Sequence, residues 1–152
     1  MAADVSKIGF RLPPYTFEVE RVKIREFVKA IGDENPLFLS KEKALSEGYE
    51  DTPIPPTFIT SAFQEFSGAY FKVFEELGVK LVRVLHGEEE YEYLREIHPG
   101  DRLVCEMKVE SIIEKKTRSG EMDVIALRTL FKNQKGEEVL RSRSLIIERK
   151  KT

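Results

Sequence analysis

Imidazole and thiol groups are scarce in this chain: two histidines, His86 and His98, and one cysteine, Cys105, in 152 residues. Cys105 alternates with Leu103 and Met107, the pattern of a strand side chain facing a core, so the thiol reads as packing. A lone cysteine also excludes a disulfide within the chain. His98 lies in the turn His98-Pro99-Gly100-Asp101 and is expected to be exposed, whereas His86 begins a strand. No paired His or Cys has the spacing of a metal site, so neither metal nor cofactor is expected. What remains is a carboxylate in a constrained loop, Gly32-Asp33-Glu34-Asn35-Pro36-Leu37. Aspartate there can handle a proton, or it can bond the N–H groups of its own turn, which Asp and Asn do readily in such loops.

Elements of regular structure must hold these groups. Residues 14–19 alternate through Tyr15, Phe17 and Val19, a short strand. Over 20–31 the period changes: Ile24, Phe27, Val28 and Ile31 form the apolar stripe of a helix that Gly32 ends. Ser40 can cap a second helix that closes at Gly48. The prolines of 51–56 enforce an extended approach, and from Thr57 to Leu77 the spacing predicts one helix of roughly 30 Å, with Gly68 inside it and Gly78 as its cap. Beyond Gly78 everything reads as strand: one or two over 79–96 with a bulge at Gly87, then 102–114, 122–132 and 138–148, with a hairpin turn at 133–136. A strand, helices, then a long antiparallel meander make an α+β domain in which one long helix buries its stripe against a sheet of about five strands.

The bulk properties narrow the function. Net charge is −2 with 25 basic and 27 acidic residues interspersed, which gives no reason to expect nucleic acid or an anionic membrane. The apolar stretch at 57–77 is broken by Gln64, Glu65, Lys72, Glu75 and Glu76 and is expected to be buried in the protein. Met1 to Phe10 lacks a signal-peptide core, and a cytoplasmic location is expected. The chain is long enough for one domain over 1–152, with 1–12 expected to be loosely ordered.

Three segments together resemble the MaoC-like hydratase/dehydratase family, including its R-specific enoyl-CoA hydratases. Gly32-Asp33-Glu34-Asn35-Pro36-Leu37 is similar to the motif G-D-x-N-P-[LIV]-H. Pro53-Ile54-Pro55-Pro56-Thr57-Phe58 is similar to that family's run into the central helix, and His86-Gly87-Glu88 through Pro99-Gly100-Asp101 to the strand and turn that follow. The opening from Tyr15 to Phe27 also resembles the noncatalytic subunit of mycobacterial heteromeric hydroxyacyl-carrier-protein dehydratases. The resemblance implies a hot-dog fold, a sheet wrapped around one helix. It implies interconversion of trans-2-enoyl and (R)-3-hydroxyacyl thioesters on CoA or acyl carrier protein. It further implies a homodimer, or a heterodimer with another hot-dog subunit.

By position, Asp33 matches the aspartate that acts with a histidine as a general acid/base pair on one water, and Asn35 matches the asparagine that shapes the loop. Thr57 stands where a glycine N–H would face the thioester oxygen. Asn35, Phe38, Thr57 and Phe58 are therefore expected at the substrate, although a run of phenylalanines at helical spacing reads equally as core. The chain departs from the motif at its most reactive position: five residues after Asp33 stands Phe38, which cannot carry a proton. His86 is the candidate replacement. Three functions follow: a hydratase/dehydratase or the substrate-binding subunit of one, an acyl-thioester-binding module without chemistry, and a hot-dog thioesterase.

Overall fold

The structure, a computed structural model, describes residues 3–65, 69–118 and 120–150. Five strands form one antiparallel sheet: β1 (Tyr15–Glu18), β2 (Val84–Tyr93), β3 (Arg102–Thr117), β4 (Gly120–Lys132) and β5 (Glu138–Arg149), in the spatial order β1-β3-β4-β5-β2. Among the described residues four helices accompany it: α1 (Arg21–Ala30), α2 (Lys41–Ser46), α3 (Thr60–Glu65) and α4 (Ala69–Leu77). The sheet alternates as the sequence requires. Leu103, Cys105, Met107 and Val109 of β3 face inward with Ile125, Leu127 and Phe131 of β4 and Leu140 and Ile146 of β5. Phe58, Ile59, Ala62, Phe63, Val73, Phe74 and Leu77 fill the same core from the helical side. The rings of Phe63 and Phe131 meet edge to face at 6.0 Å, so the helices lie on the concave side of the sheet. This is the expected hot-dog arrangement.

Local signals place most boundaries. Ser40 accepts from Lys43 N–H at 3.2 Å and caps α2. Gly87 sits at a register shift between His86 and Glu88, the expected bulge. The strand around it is shorter than 79–96, because 81–83 form a single 3-10 turn before β2.

The helix start differs from the sequence expectation. Residues 55–62 advance by tight i to i+3 bonds, with Phe58 N–H donating to Pro55 O at 2.9 Å and Ser61 N–H to Phe58 O at 2.9 Å, and α3 begins at Thr60 instead of Thr57. Pro55 and Pro56 fix φ and offer no N–H, which favours a 3-10 turn at this end. The expectation of one uninterrupted helix, with Phe66 and Gly68 inside it, falls at 66–68, outside the described residues. No helix among the described residues is long and apolar enough to cross a membrane.

Residues 3–12 make defined backbone contacts with β3. Gly9 N–H donates to Val109 O (2.9 Å), Val109 N–H to Phe10 O (2.9 Å) and Leu12 N–H to Met107 O (3.1 Å), so this segment continues the line of β1 along the edge of β3. Ala3 N–H reaches the buried carboxylate of Asp123 at 2.7 Å, and Ala3 and Leu12 are buried. The segment lacks its own periodicity because β3 organises it through backbone bonds. His98 also departs from expectation. It is half-buried, its N–H bonded to Asp101 Oδ2 at 2.9 Å and its Nε2 to Glu96 at 3.0 Å.

Candidate active site

The Asp33 loop grows out of the end of α1. Gly32 takes φ +69°, and Asp33 N–H folds back onto Val28 O at 3.0 Å, which closes the helix. Asp33 Oδ1 accepts from Asn35 N–H (2.8 Å), and Asn35 Oδ1 accepts from Leu37 N–H (3.0 Å). Two consecutive side-chain-to-backbone turns thus set the loop and launch the 3-10 turn at 36–38. Both polar side chains make the local bonds expected of turn residues. Asp33 Oδ2 accepts no hydrogen bond among the described residues and is open to a water or ligand. Phe38 lands half-buried against the core.

Thr57 is exposed at the tight turn that precedes α3, and its N–H makes no hydrogen bond among the described residues. A spare donor at the start of a helix suits an oxygen that gains negative charge. Phe58 is fully buried, tilted against Phe17 at 6.1 Å and edge-on to Phe27 at 5.6 Å, so it packs α1 against the helix start.

The approach to this turn is fixed at three points, none of which the sequence announced. Asp51 receives both oxygens' worth of contact from Arg21 Nη2 (2.9 and 3.0 Å), one from Lys41 Nζ (2.9 Å) and one from Thr52 N–H (2.6 Å). Burial would raise its pKa, but the Lys41, Arg21 and Thr52 bonds outweigh that and hold the carboxyl well below the usual carboxylate range. Arg21 also donates to Thr52 Oγ1 at 2.7 Å. Ile54 N–H donates to Ile97 O, and the Tyr93 phenol donates to Pro56 O at 2.8 Å. Beside Pro56 lies a cleft of about 410 Å³ with Tyr49, Ile54, Tyr93, Leu94 and Ile97 in its walls.

His86 is carried by the sheet. It projects from the concave side of β2, 59% exposed, with Nε2 2.9 Å from Glu89 Oε2. Glu89 Oε1 in turn accepts from the buried Ser144 hydroxyl at 2.8 Å. Tyr93, which touches Pro56, is seven positions along the same strand, or about 20 Å at about 3.3 Å per residue. Asp33, Asn35 and Phe38 thus share one loop, while the hydrogen bond of His86 is to Glu89 on its own strand.

Residues 6–142 match the family described as the FAS1-like dehydratase domain region. The chain belongs to this dehydratase-domain family. Two relatives, each named UPF0336 protein, agree over nearly full length. One from Streptomyces avermitilis is 36% identical, covering 98% of this chain and 97% of the relative. One from Saccharopolyspora erythraea is 37% identical, covering 98% and 93%. Among solved structures, the HadBC (3R)-hydroxyacyl-ACP dehydratase complex of Mycobacterium tuberculosis superposes with a TM-score of 0.80 at 24% identity, over 97% of this chain and 99% of that one. The ChsH1–ChsH2 complex of the same organism gives 0.76 at 22% identity, over 94% and 86%. The (R)-hydratase of A. caviae gives 0.67 at 17%, over 91% and 94%. At these identities the structural matches establish the shared hot-dog fold. For a member of this dehydratase-domain family, the absence of an imidazole in the Asp33 loop is the chemical question.

Proposed function

We propose that this chain is the substrate-binding subunit of an acyl-thioester hydratase/dehydratase that interconverts trans-2-enoyl and (R)-3-hydroxyacyl thioesters, carried on CoA or on acyl carrier protein, in the cytoplasm. A second hot-dog subunit supplies the working Asp/His pair. The observation that carries this reading is Phe38. Hydration requires one group to take a proton from water while the α-carbon receives one, and a carboxylate without its imidazole leaves that step uncatalysed. The hydrogen bond of His86 goes to Glu89 on its own strand and not to the Asp33 loop, and its 59% exposure leaves it open to a neighbouring subunit. In this chain Thr57 N–H holds the thioester oxygen, Asp33 Oδ2 and the Asn35 turn border the acyl group, and Phe38 provides apolar wall.

The test is turnover of short and long trans-2-enoyl-CoA, followed by loss of enoyl absorbance, with the purified chain and with the pair obtained by co-expression. The lone chain is expected to be inactive and the pair active. The Asp33→Asn variant should leave most of the pair's kcat in place. Hydration by the lone chain that Asp33→Asn abolishes would refute the supporting role. Binding of acyl-CoA with no turnover by any pair would establish the non-catalytic module instead, and release of free thiol would establish a thioesterase.

A further inference from the structure

We propose that the convex face of the sheet carries an anion site for a diphosphate group, built on Arg11, Lys108, Arg128 and Arg141. It lies on the face away from the helices and does not depend on the thioester chemistry. Directly opposed residues of neighbouring strands share a face. Arg11 bridges to Lys108, Lys108 pairs with Arg128, and Arg128 pairs with Arg143. Four cations therefore stand in one cross-strand row, at steps of about 4.8 Å. Their sequence neighbours Leu12, Met107, Val109, Leu127, Thr129, Ser142 and Ser144 are buried, so the four side chains point outward. Like charges directly opposed in a sheet weaken its pairing. Acidic residues outnumber basic ones here, 27 to 25, yet the row holds a single counter-charge. Glu110, the extra residue of the bulge between Val109 and Ser111, takes Arg128 Nε and Arg143 Nε at 2.6 Å each. The side chains of Arg11 and Lys108 make no hydrogen bond or ion pair among the described residues. A row that breaks a local rule and is left half-neutralised marks a place that a ligand completes.

The row opens into a hollow of about 200 Å³ walled by Arg11, Lys108, Arg128 and Arg141, with Leu130 and Glu106 beside them. Glu106 is already held by Lys132 Nζ at 2.8 Å, and Arg141 by Glu138 at 2.6 Å, so neither neutralises the free pair. Pockets for drug-sized ligands run to about 300–1,000 Å³, so this one takes a small group and leaves the rest of its ligand outside. Charge then selects among small anions. A carboxylate brings one charge and would satisfy only one of Arg11 and Lys108. A diphosphate brings at least two, spread over oxygens at both ends, and leaves one for the planar fork of Arg128. A nucleic-acid backbone would need the positive row to continue, whereas Glu90 stands opposite Arg143 and ends it.

The experiment is calorimetric titration of pyrophosphate into the purified chain at fixed ionic strength. It compares wild type, Arg11→Gln/Lys108→Gln and a charge-matched control on α1, Arg25→Gln/Lys29→Gln. Wild type and control are expected to bind alike, and Arg11→Gln/Lys108→Gln about tenfold more weakly. Melting curves without ligand separate a binding row from a structural one. Removing two mutually repelling charges should leave Arg11→Gln/Lys108→Gln at or above the wild-type melting temperature. ADP and CoA carry the same group on larger molecules, and competition of either with pyrophosphate identifies how the group arrives. Absence of binding by pyrophosphate, ADP and CoA alike overturns the inference. So does equal weakening in both variants, which would reflect net charge alone, or a melting temperature of Arg11→Gln/Lys108→Gln well below that of wild type.

Discussion

Replacing Asp51 by Asn tests how the approach to the helix start is held. The carboxylate is 17% exposed and joins three separate pieces of chain: Arg21 at the start of α1, Lys41 at the start of α2 and the Thr52 N–H. Each bond to a charged group contributes about 1.5–3 kcal/mol when well buried. Lys41 is 56% exposed and Arg21 36% exposed, so solvent screening reduces both to a fraction of that. Asparagine keeps an acceptor for Thr52 N–H and loses the charge. The net cost is about 2 kcal/mol, which for a chain of this length lowers the melting temperature by about 4–8 °C. The sign of the pH dependence is fixed by the depressed pKa of Asp51. Its contribution is complete above the ordinary carboxylate value of 3.8 and is lost as pH falls below it toward the lower folded value. Melting curves of wild type and Asp51→Asn, recorded from pH 7 to pH 2.5, should therefore stand apart at neutral pH, with the gap narrowing below pH 3.8. A variant that melts within 1 °C of wild type at pH 7, or a gap that stays constant into acid, would show that the cluster is a surface ion pair without structural weight.

Other perturbations have equally direct readings. Burial pushes the Cys105 thiol up to about 12, so a thiol reagent should label the native protein orders of magnitude more slowly than the denatured one; fast native labelling would contradict the buried position. A Cβ on Gly87 would lie 3.1 Å from Leu145 O and 3.1 Å from Ile147 Cδ1, so Gly87→Ala should cost about 1–3 kcal/mol in a urea titration, and no loss would mean that the bulge relaxes freely. Phe58→Ala should cost about 3–5 kcal/mol with no ligand present, because the ring fills the space between Phe17 and Phe27; a stable variant that loses only acyl-CoA binding would return Phe58 to the substrate site.

What the sequence made legible was local. The Ser40 cap, the closure at Gly32, the bulge at Gly87 and the period-2 strands depend on residues within a few positions of each other, and each stands where its spacing puts it. The motif around Asp33 was legible for the same reason, and so was its turn chemistry. What escaped was tertiary. Asp51 finds Arg21 thirty residues earlier and Lys41 ten residues earlier, and no local pattern marks such a pair. The burial of Phe58 depends on two rings from other elements. The order of residues 3–12 comes from β3, almost a hundred residues later.

The strap formed by residues 3–12 limits how the molecule can assemble. A sheet grows by strand addition only where a row of backbone groups is vacant. On the β3 side, β1 and the strap occupy that row from 102 to 109. The hairpin tip beyond it carries Glu114, Lys115 and Lys116, charges that resist an incoming strand. Over 102–109 that flank is occupied by the chain's own beginning, so strand addition there is turned toward the β2 side, where no described strand pairs with the backbone groups facing away from β5.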